Sequence, residues 1–504
     1  MPLGRAFAVA VTGITGSIVE IEADVGRGLP GMHLVGLPDT TLQEARDRVR
    51  AAIVNSGYRW PPGRTTLSLS PADLPKVGSL YDAGLACAVL NASGLASCAR
   101  IHSTVLLGEL ALDGRLRAVN GILPAVLAAR DQGWKRIVVP ADNLAEASLV
   151  SGVTVVGAAT LRDLVMWLNR SGDLIAPPAL PPPPRRISPD LGDVEGQFMA
   201  RRAVELAAAG GHHLLLTGPP GVGKTMLAHR LPGLLPPLTE DESLEVTAIH
   251  SIAGELPHDC PLIADPPFVA PHHSATAVSL IGGGAGYAKP GAVSRAHRGV
   301  LFLDECTEMP PRVLDSLRTP LEEGEVRISR RCGLATYPAR FLMVLATNPC
   351  PCAAVRAIDC ECSSRVRRHY RSRLSGPLLD RVDLCVEMET NRAREATTMG
   401  DDPESTAVVR QRVIAARQAA RERWAQLGCA TNGEVPGPKL RAKLGRSAEA
   451  MIPINFAIER GAISARGADR ALRVAWTIAD LHGRTSPNVE DVQTALSYRL
   501  SRDL

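Results

Sequence analysis

Apolar and polar residues alternate through Val19-Glu20-Ile21-Glu22, and this two-residue period predicts a half-buried β-strand close to the N-terminus. Short β-type runs cover Ile18 to Ile21, His33 to Val35, Thr65 to Leu69, Val105 to Leu107, Arg136 to Val139 and Val153 to Val156. Runs of helical period, Leu42 to Ser56 and Ile122 to Arg130, lie between them, so residues 1–175 read as a compact α/β domain. The longest uncharged stretch, Ala83 to Ala99, carries Asn91 and many small residues and is slightly short for a bilayer; it reads as a buried core helix. A proline-rich segment follows, from Ala176-Pro177-Pro178 to Pro181-Pro182-Pro183-Pro184, and residues 176–189 read as a stiff extended linker. Beyond it the rhythm changes. Leu214-Leu215-Leu216, Val300 to Leu303 and Phe341 to Ala346 are continuously apolar, as strands buried on both faces of a parallel sheet must be, and Met226 to Leu231 continues as a helix. Residues 190–395 therefore read as an α/β core. From about Thr406, Val408 to Leu427 and Arg470 to Leu481 have helical period with no strand between them, and residues 396–504 read as a helical lid.

Composition narrows the class without naming it. The chain has 504 residues, too many for one hydrophobic core. Its apolar fraction is 45% but its aromatic fraction only 3%, so the cores must be built from Ala, Val, Leu and Ile. A net charge of +4 permits nucleic-acid binding without demanding it. The N-terminal apolar residues are broken by Gly13 and Gly16, unlike a secretory signal, and the expectation is a cytoplasmic protein with no membrane contact. Eleven cysteines in that compartment are expected to be reduced.

Chemistry enters at Gly218-Pro219-Pro220-Gly221-Val222-Gly223-Lys224-Thr225, which satisfies G-x-x-x-x-G-K-[ST] at every fixed position. The glycines let backbone N–H groups close on phosphate oxygens, Lys224 neutralises β/γ-phosphate charge, and the Thr225 hydroxyl is a Mg²⁺ ligand. With a strand before it and a helix after it, this is a nucleoside-triphosphate site. The strand Val300 to Leu303 ends in two carboxylates: Asp304 is expected to hold Mg²⁺ and Glu305 to polarise the attacking water. ATP hydrolysis, and not nucleotide storage, is the expected outcome.

Two further clusters stand out. Cys350-Pro351-Cys352 and Cys360-Glu361-Cys362 place four thiols in an insertion at 350–362, a donor set for tetrahedral Zn²⁺ or a group of inert or redox thiols. The other seven, Cys87, Cys98, Cys260, Cys306, Cys332, Cys385 and Cys429, read as packing groups. Arg365, Arg367, Arg368, Arg371 and Arg373 follow at once, around Tyr370; the run suits either a DNA-tracking surface or a solvated helix face. Lys289, in the glycine-rich loop Gly282 to Gly291, is a weaker candidate of the same kind, and His272 and His273 read equally as ligand contacts or as satisfied core groups.

The chain resembles the AAA+ ATPases of the Mg-chelatase-like YifB/ComM family over nearly its whole length. The resemblance rests on Gly31 to Asp39, Ser70 to Gly78, Pro271-His272-His273-Ser274-Ala275, Asn348-Pro349-Cys350-Pro351-Cys352, Ser375 to Asp383 and Ser464 to Asp480. It implies a homo-hexameric ring with ATP between subunits, a Lon-protease-like (ChlI-type) N-terminal domain and a branch-migrating DNA motor. It also implies roles: Asn348 as sensor 1, Arg381 as arginine finger and Arg470 as the sensor-2 arginine. A Lon-like protease is a rival reading, but the stretch that should carry an activating lysine reads Asn120-Gly121-Ile122-Leu123-Pro124-Ala125, so Ser79, near Lys76 and Gly78, reads as a loop residue. A protein-remodelling motor of magnesium-chelatase type is the second rival; the N-terminal domain and the cysteine insertion speak against it. A nucleotide switch with negligible turnover is the third, and the presence of Glu305 and Arg381 disfavours it.

Overall fold

Two large sheets organise the described residues, accompanied by three two-stranded ones. The protein is described from a computed structural model over residues 3–29, 31–35, 40–72, 74, 76, 78–183, 188–257, 260–284, 288–330, 333–355, 357–389, 403–444 and 448–500. Parts of the motifs at 31–39 and 70–78, the end of the proline linker, Cys332 and the junction between core and lid lie outside these residues.

The N-terminal sheet has seven strands in the order Gly31–Val35, Arg64–Ser70, Thr15–Gly26, Gly4–Thr12, Val105–Leu106, Arg136–Pro140 and Thr154–Ala158. Gly4–Thr12 is a strand that the residue pattern did not suggest. Its Ala8, Val9 and Ala10 are all buried, so a run of small apolar residues covered on both faces shows no alternation. It pairs antiparallel with Thr15–Gly26 from Gly4 opposite Ala23 to Thr12 opposite Thr15. The helix Asp82–Ala92 is buried at all eleven positions; it stops at Ser93, short of the Ala99 expected from the uncharged run. Asp82 is tolerated there because Arg48 donates to its carboxylate at 2.9 and 3.3 Å and the Leu110 N–H at 3.2 Å. Burial nevertheless pushes the Asp82 carboxyl up to about 6. Nearby, the buried Lys76 donates to the Pro71 carbonyl, and the Ser79 hydroxyl bonds the Glu109 carboxylate.

The core sheet has five strands, all parallel, in the order Phe268–Val269, Val300–Leu303, Leu342–Thr347, Leu214–Thr217 and Leu384–Glu387. Its three central strands are almost wholly buried, which is why they are continuously apolar in sequence. A hairpin, Glu325–Arg330 with Gly333–Pro338, extends from this core. The lid contains the helices Thr406–Trp424, Gly437–Leu444, Ala448–Glu459, Ala465–Leu481 and Val489–Leu500. Trp424 and Trp476 meet edge to face at 5.6 Å, and the buried Asp480 carboxylate accepts from Arg423 and from Asn432.

The N-terminal domain docks on the core at the stretch where a Lon-like enzyme would need its lysine. Gly121 precedes the helix Ile122–Asp131 and offers no side-chain cap. The N–H groups at the start of that helix, which have no partner within it, are capped from elsewhere: Glu146 accepts from the Leu123 N–H at 2.9 Å, and Ser251, on the core helix Glu240–Ala253, accepts from the Gly121 N–H at 3.0 Å. Ser251 in turn bonds the Glu146 carboxylate.

Of the scattered cysteines within the described residues, Cys87, Cys306 and Cys385 are buried, whereas Cys260 and Cys429 are half-buried and Cys98 is exposed. Packing accounts for those three and for Cys429, which lies against the hydrophobic core shared by the ATPase sheet and the C-terminal helices. No helix of the described residues is long and apolar enough to cross a membrane.

Candidate functional site

Parallel pairing brings the candidate residues together. The register sets Leu303 beside Leu345 and Thr217 beside Thr347, so the three central strands end at one edge. Asp304 and Glu305 leave the first strand there, Asn348 the second, and the phosphate loop the third. The loop turns through Gly221 and Gly223, at φ of +80° and +97°, before Lys224 opens the helix Lys224–Leu234. Gly218 is required for a different reason: a Cβ there would come within 2.6 Å of the Met388 carbonyl oxygen.

Lys224 is buried and donates to the carbonyls of Gly218 and Pro219 at 2.5 and 2.9 Å and to Asn348 Oδ1 at 3.1 Å. Burial lowers its pKa, and the charges of Asp304 and Glu305 oppose that shift. Thr225 Oγ1 donates to Asp304 Oδ2 at 2.7 Å, while Asp304 Oδ1 accepts from the Glu305 N–H at 2.9 Å. A hydroxyl and a carboxylate side by side, next to a phosphate loop, form a donor set that fits a small hard cation such as Mg²⁺. Glu305 has φ +47°, an unfavourable backbone for a residue with a Cβ, and lines the cleft with its carboxylate half-exposed. The cleft encloses about 1270 Å³, room for a nucleotide.

Its outer wall comes from residues that the motifs did not indicate: Asp193 and Gln197 from the segment entering the helix Phe198–Gly210, Val355 from within the cysteine insertion, and Glu389. Gln197, at φ +53°, donates to the Glu389 carbonyl at 2.9 Å. No local pattern announces them, because parts of the chain about 200 residues apart meet only through the sheet.

Arg381 and Arg470 are placed together, but not in this cleft. Arg470 donates to the Arg381 carbonyl at 2.9 Å and to the buried Asp383 carboxylate at 2.7 Å. Arg381 pairs with Glu322 and bonds the Pro377 carbonyl; burial and then Arg318, Arg470 and Arg466 lower its pKa. The two arginines line a second, smaller cleft of about 210 Å³ with Arg466 and Arg473.

The four insertion thiols converge. The sulfurs of Cys350, Cys352, Cys360 and Cys362 all lie within 4.8 Å of one another, with Cys350 3.2 Å from Cys352 and 3.5 Å from Cys360. Tetrahedral zinc, with Zn–S near 2.3 Å, needs sulfurs roughly 3.8 Å apart, so the donor set fits that ion. The insertion leads into the helix Ser364–Arg371, where Ser363 accepts from the Val366 N–H at 3.3 Å as an N-cap. Arg365, Arg367, Arg368 and Arg371 are exposed on it. Arg373 is half-buried and donates to the Thr307 carbonyl at 2.8 Å, and Tyr370 is buried, so the aromatic of this run is an anchor for the helix and not a stacking surface.

This arrangement of phosphate loop, paired carboxylates, polar residue on the adjoining strand and helical lid defines an AAA+ ATPase. Comparison with known proteins specifies which kind. Residues 190–396 match the magnesium chelatase subunit ChlI model, residues 21–143 the Mg-chelatase ChlI subunit model, and residues 403–499 the ChlI C-terminal model. The chain is 60% identical over 499 residues to an uncharacterized protein of Mycobacterium tuberculosis, covering 99% of each. It is 40% identical over 499 residues to the uncharacterized protein YifB of Escherichia coli, covering 99% of this chain and 97% of that one. It is 39% identical over 506 residues to the competence protein ComM of Haemophilus influenzae, covering 99% and 98%. A further 31% identity over 153 residues links 30% of the chain to 19% of an archaeal Lon protease from Methanocaldococcus jannaschii. The chain belongs to the Mg-chelatase-like YifB/ComM family of AAA+ ATPases, with a Lon-like domain, an ATPase core and a helical C-terminal region. ATP and Mg²⁺ are the ligands this family implies.

Proposed function

We propose that this ATPase is a hexameric motor that moves on DNA, with branch migration as its activity. The observation that carries the reading is the continuity between nucleotide and basic surface. Asn348 and Val355 face the nucleotide cleft, Val355 lies within the cysteine insertion, and the helix carrying four exposed arginines follows directly. A change at the γ-phosphate is thereby felt by the segment best suited to hold phosphodiesters. Zn²⁺ on the four thiolates would make that insertion stiff enough to transmit it. The name of the Haemophilus relative, a competence protein, points in the same direction.

For hydrolysis, Lys224 and the loop N–H groups hold the phosphates, and Glu305 takes a proton from water. The water oxygen bonds the γ-phosphorus as its bond to the bridging oxygen breaks, and ADP leaves with that electron pair. Arg381 lines no part of its own chain's cleft, which supports its acting across a subunit boundary; Arg470, fixed beside it, would then face the same neighbour. The test is the ATPase rate with and without single-stranded and branched DNA. Stimulation by branched DNA is expected; turnover indifferent to every DNA would favour the protein-remodelling motor.

A further inference from the structure

The arginine helix Ser364–Arg371 is fastened near its C-terminal end. Tyr370 is buried there, and its hydroxyl hydrogen-bonds with the side chains of Thr307, Glu308 and Thr347. Burial raises the pKa of this phenol, so it stays protonated, and since an ionised carboxylate can only accept, the phenol is the donor to Glu308. Arg373, just past the helix, donates to the Thr307 carbonyl at 2.8 Å and to the Glu308 carboxylate at 3.4 Å. These partners belong to the two segments that carry the hydrolytic side chains. Thr307 and Glu308 lie on the turn that Glu305 opens, where the Glu308 N–H donates to the Glu305 carbonyl at 2.7 Å. Thr347 ends the strand Leu342–Thr347 and precedes Asn348. Its hydroxyl donates to the Asn348 carbonyl at 3.1 Å and lies 2.8 Å from the Thr307 hydroxyl, and its own carbonyl accepts from the Gly218 N–H, at the start of the phosphate loop, at 3.2 Å.

We infer that Tyr370 is a coupling residue: its hydroxyl joins the arginine helix to the Glu305 turn and to the Asn348 strand end, so that movement of either at the γ-phosphate moves the helix, and a load on the helix moves them. The path is short and shielded. Thr307 and Thr347 are both buried, and hydrogen bonds in such a place are stronger than in water and have few alternative partners. The three segments therefore shift together and do not slide past one another. Asn348 Oδ1 accepts from Lys224 at 3.1 Å, which sets the phosphate-neutralising amine one hydrogen bond from the same strand end. A phenyl ring alone would hold the helix against the core by burial. What the hydroxyl adds is the connection to Thr307 and Thr347, and that connection is the part that substitution can remove without emptying the space.

The use made of this coupling rests on the DNA-motor reading, and the experiment separates the two. Amide hydrogen exchange of residues 364–373 is measured in full-length wild type, Y370F, T307V and T307S with Mg²⁺ and either ADP or a non-hydrolysable ATP analogue; ATPase rates are measured with and without a four-way DNA junction. In wild type, exchange should differ between the two nucleotides by about 5-fold or more, an ordinary size for coupling between sites. In Y370F and T307V the two rates should come within about 2-fold of each other, while T307S, which keeps the hydroxyl, should behave as wild type. Y370F should also bind the junction with unchanged affinity in the absence of nucleotide, yet lose the stimulation of turnover by it. Wild-type exchange that is the same in both nucleotides, or a Y370F protein that keeps the full difference, overturns the inference. A nucleotide-dependent difference that Y370F abolishes, in a protein that no DNA stimulates, supports the coupling and removes the DNA reading. If Y370F melts well below wild type, the comparison of T307V with T307S, which differ in the hydroxyl, decides the same question.

Discussion

Lys224 and Glu305 sit in one cleft but do different chemistry, and substitution should separate them. Lys224→Ala removes the buried cation that the loop carbonyls and Asn348 already hold in position, so nucleotide binding should weaken, as read by titration with a fluorescent ATP analogue. Glu305→Gln keeps the cradle and removes the base: binding should survive and turnover should fall by about 10²–10⁴-fold. Wild-type hydrolysis in Glu305→Gln would remove the water-polarising role. These residues were legible in the sequence because each phosphate-binding feature is local: glycines at fixed spacing, a lysine, a hydroxyl, and acids at the end of an apolar strand. The place of His273, with Nδ1 3.2 Å from Glu305 Oε2, was not, since it depends on which strand lies beside Val300–Leu303.

At the scale of elements, the cysteine insertion and the basic helix are the parts with the sharpest tests. If the four thiols hold zinc, purified protein should contain about one zinc per chain by elemental analysis, and Cys350→Ser with Cys362→Ser should lose it. Protein made without chelator and free of zinc would return the cysteines to ordinary thiols. Replacing Arg365, Arg367, Arg368 and Arg371 with Gln should weaken DNA binding. It should also flatten the dependence of log K on log salt by about 0.7–0.9 for each phosphate that the helix no longer neutralises. An unchanged slope would make the helix a solvated surface. The sequence showed this helix as a charge run; its orientation depends on Tyr370, which the fold buries as an anchor.

For the whole molecule the decisive question is where Arg381 acts. It lies with Arg470 in a cleft apart from its own phosphate loop, so Arg381→Ala should bind ATP normally yet lose roughly 10³–10⁵ in rate if the arginine serves a neighbour. Mixing Arg381→Ala with Lys224→Ala subunits should restore part of the activity, because some shared sites then pair an intact loop with an intact arginine. Mixed rings that form but never turn over would place the finger in cis or dismiss it. The joint through Gly121, Glu146 and Ser251 belongs to this scale too, since Ser251 of the ATPase core bonds both the Gly121 N–H and the Glu146 carboxylate of the Lon-like domain.

By itself the sequence determined the α/β character of both halves, the helical lid, the phosphate loop and the carboxylate pair, because periodicity and local motif chemistry are properties of contiguous residues. It did not reveal the first strand, whose small residues are buried on both faces, nor the end of the helix at Ser93. Tertiary structure alone decided the strand order that sets Leu303 beside Leu345 and Thr217 beside Thr347, the docking of the N-terminal domain on Ser251, and the contact between His273 and Glu305. Each of these is a meeting of residues distant in the chain, and hydrogen-bond register and packing, not sequence neighbours, select it.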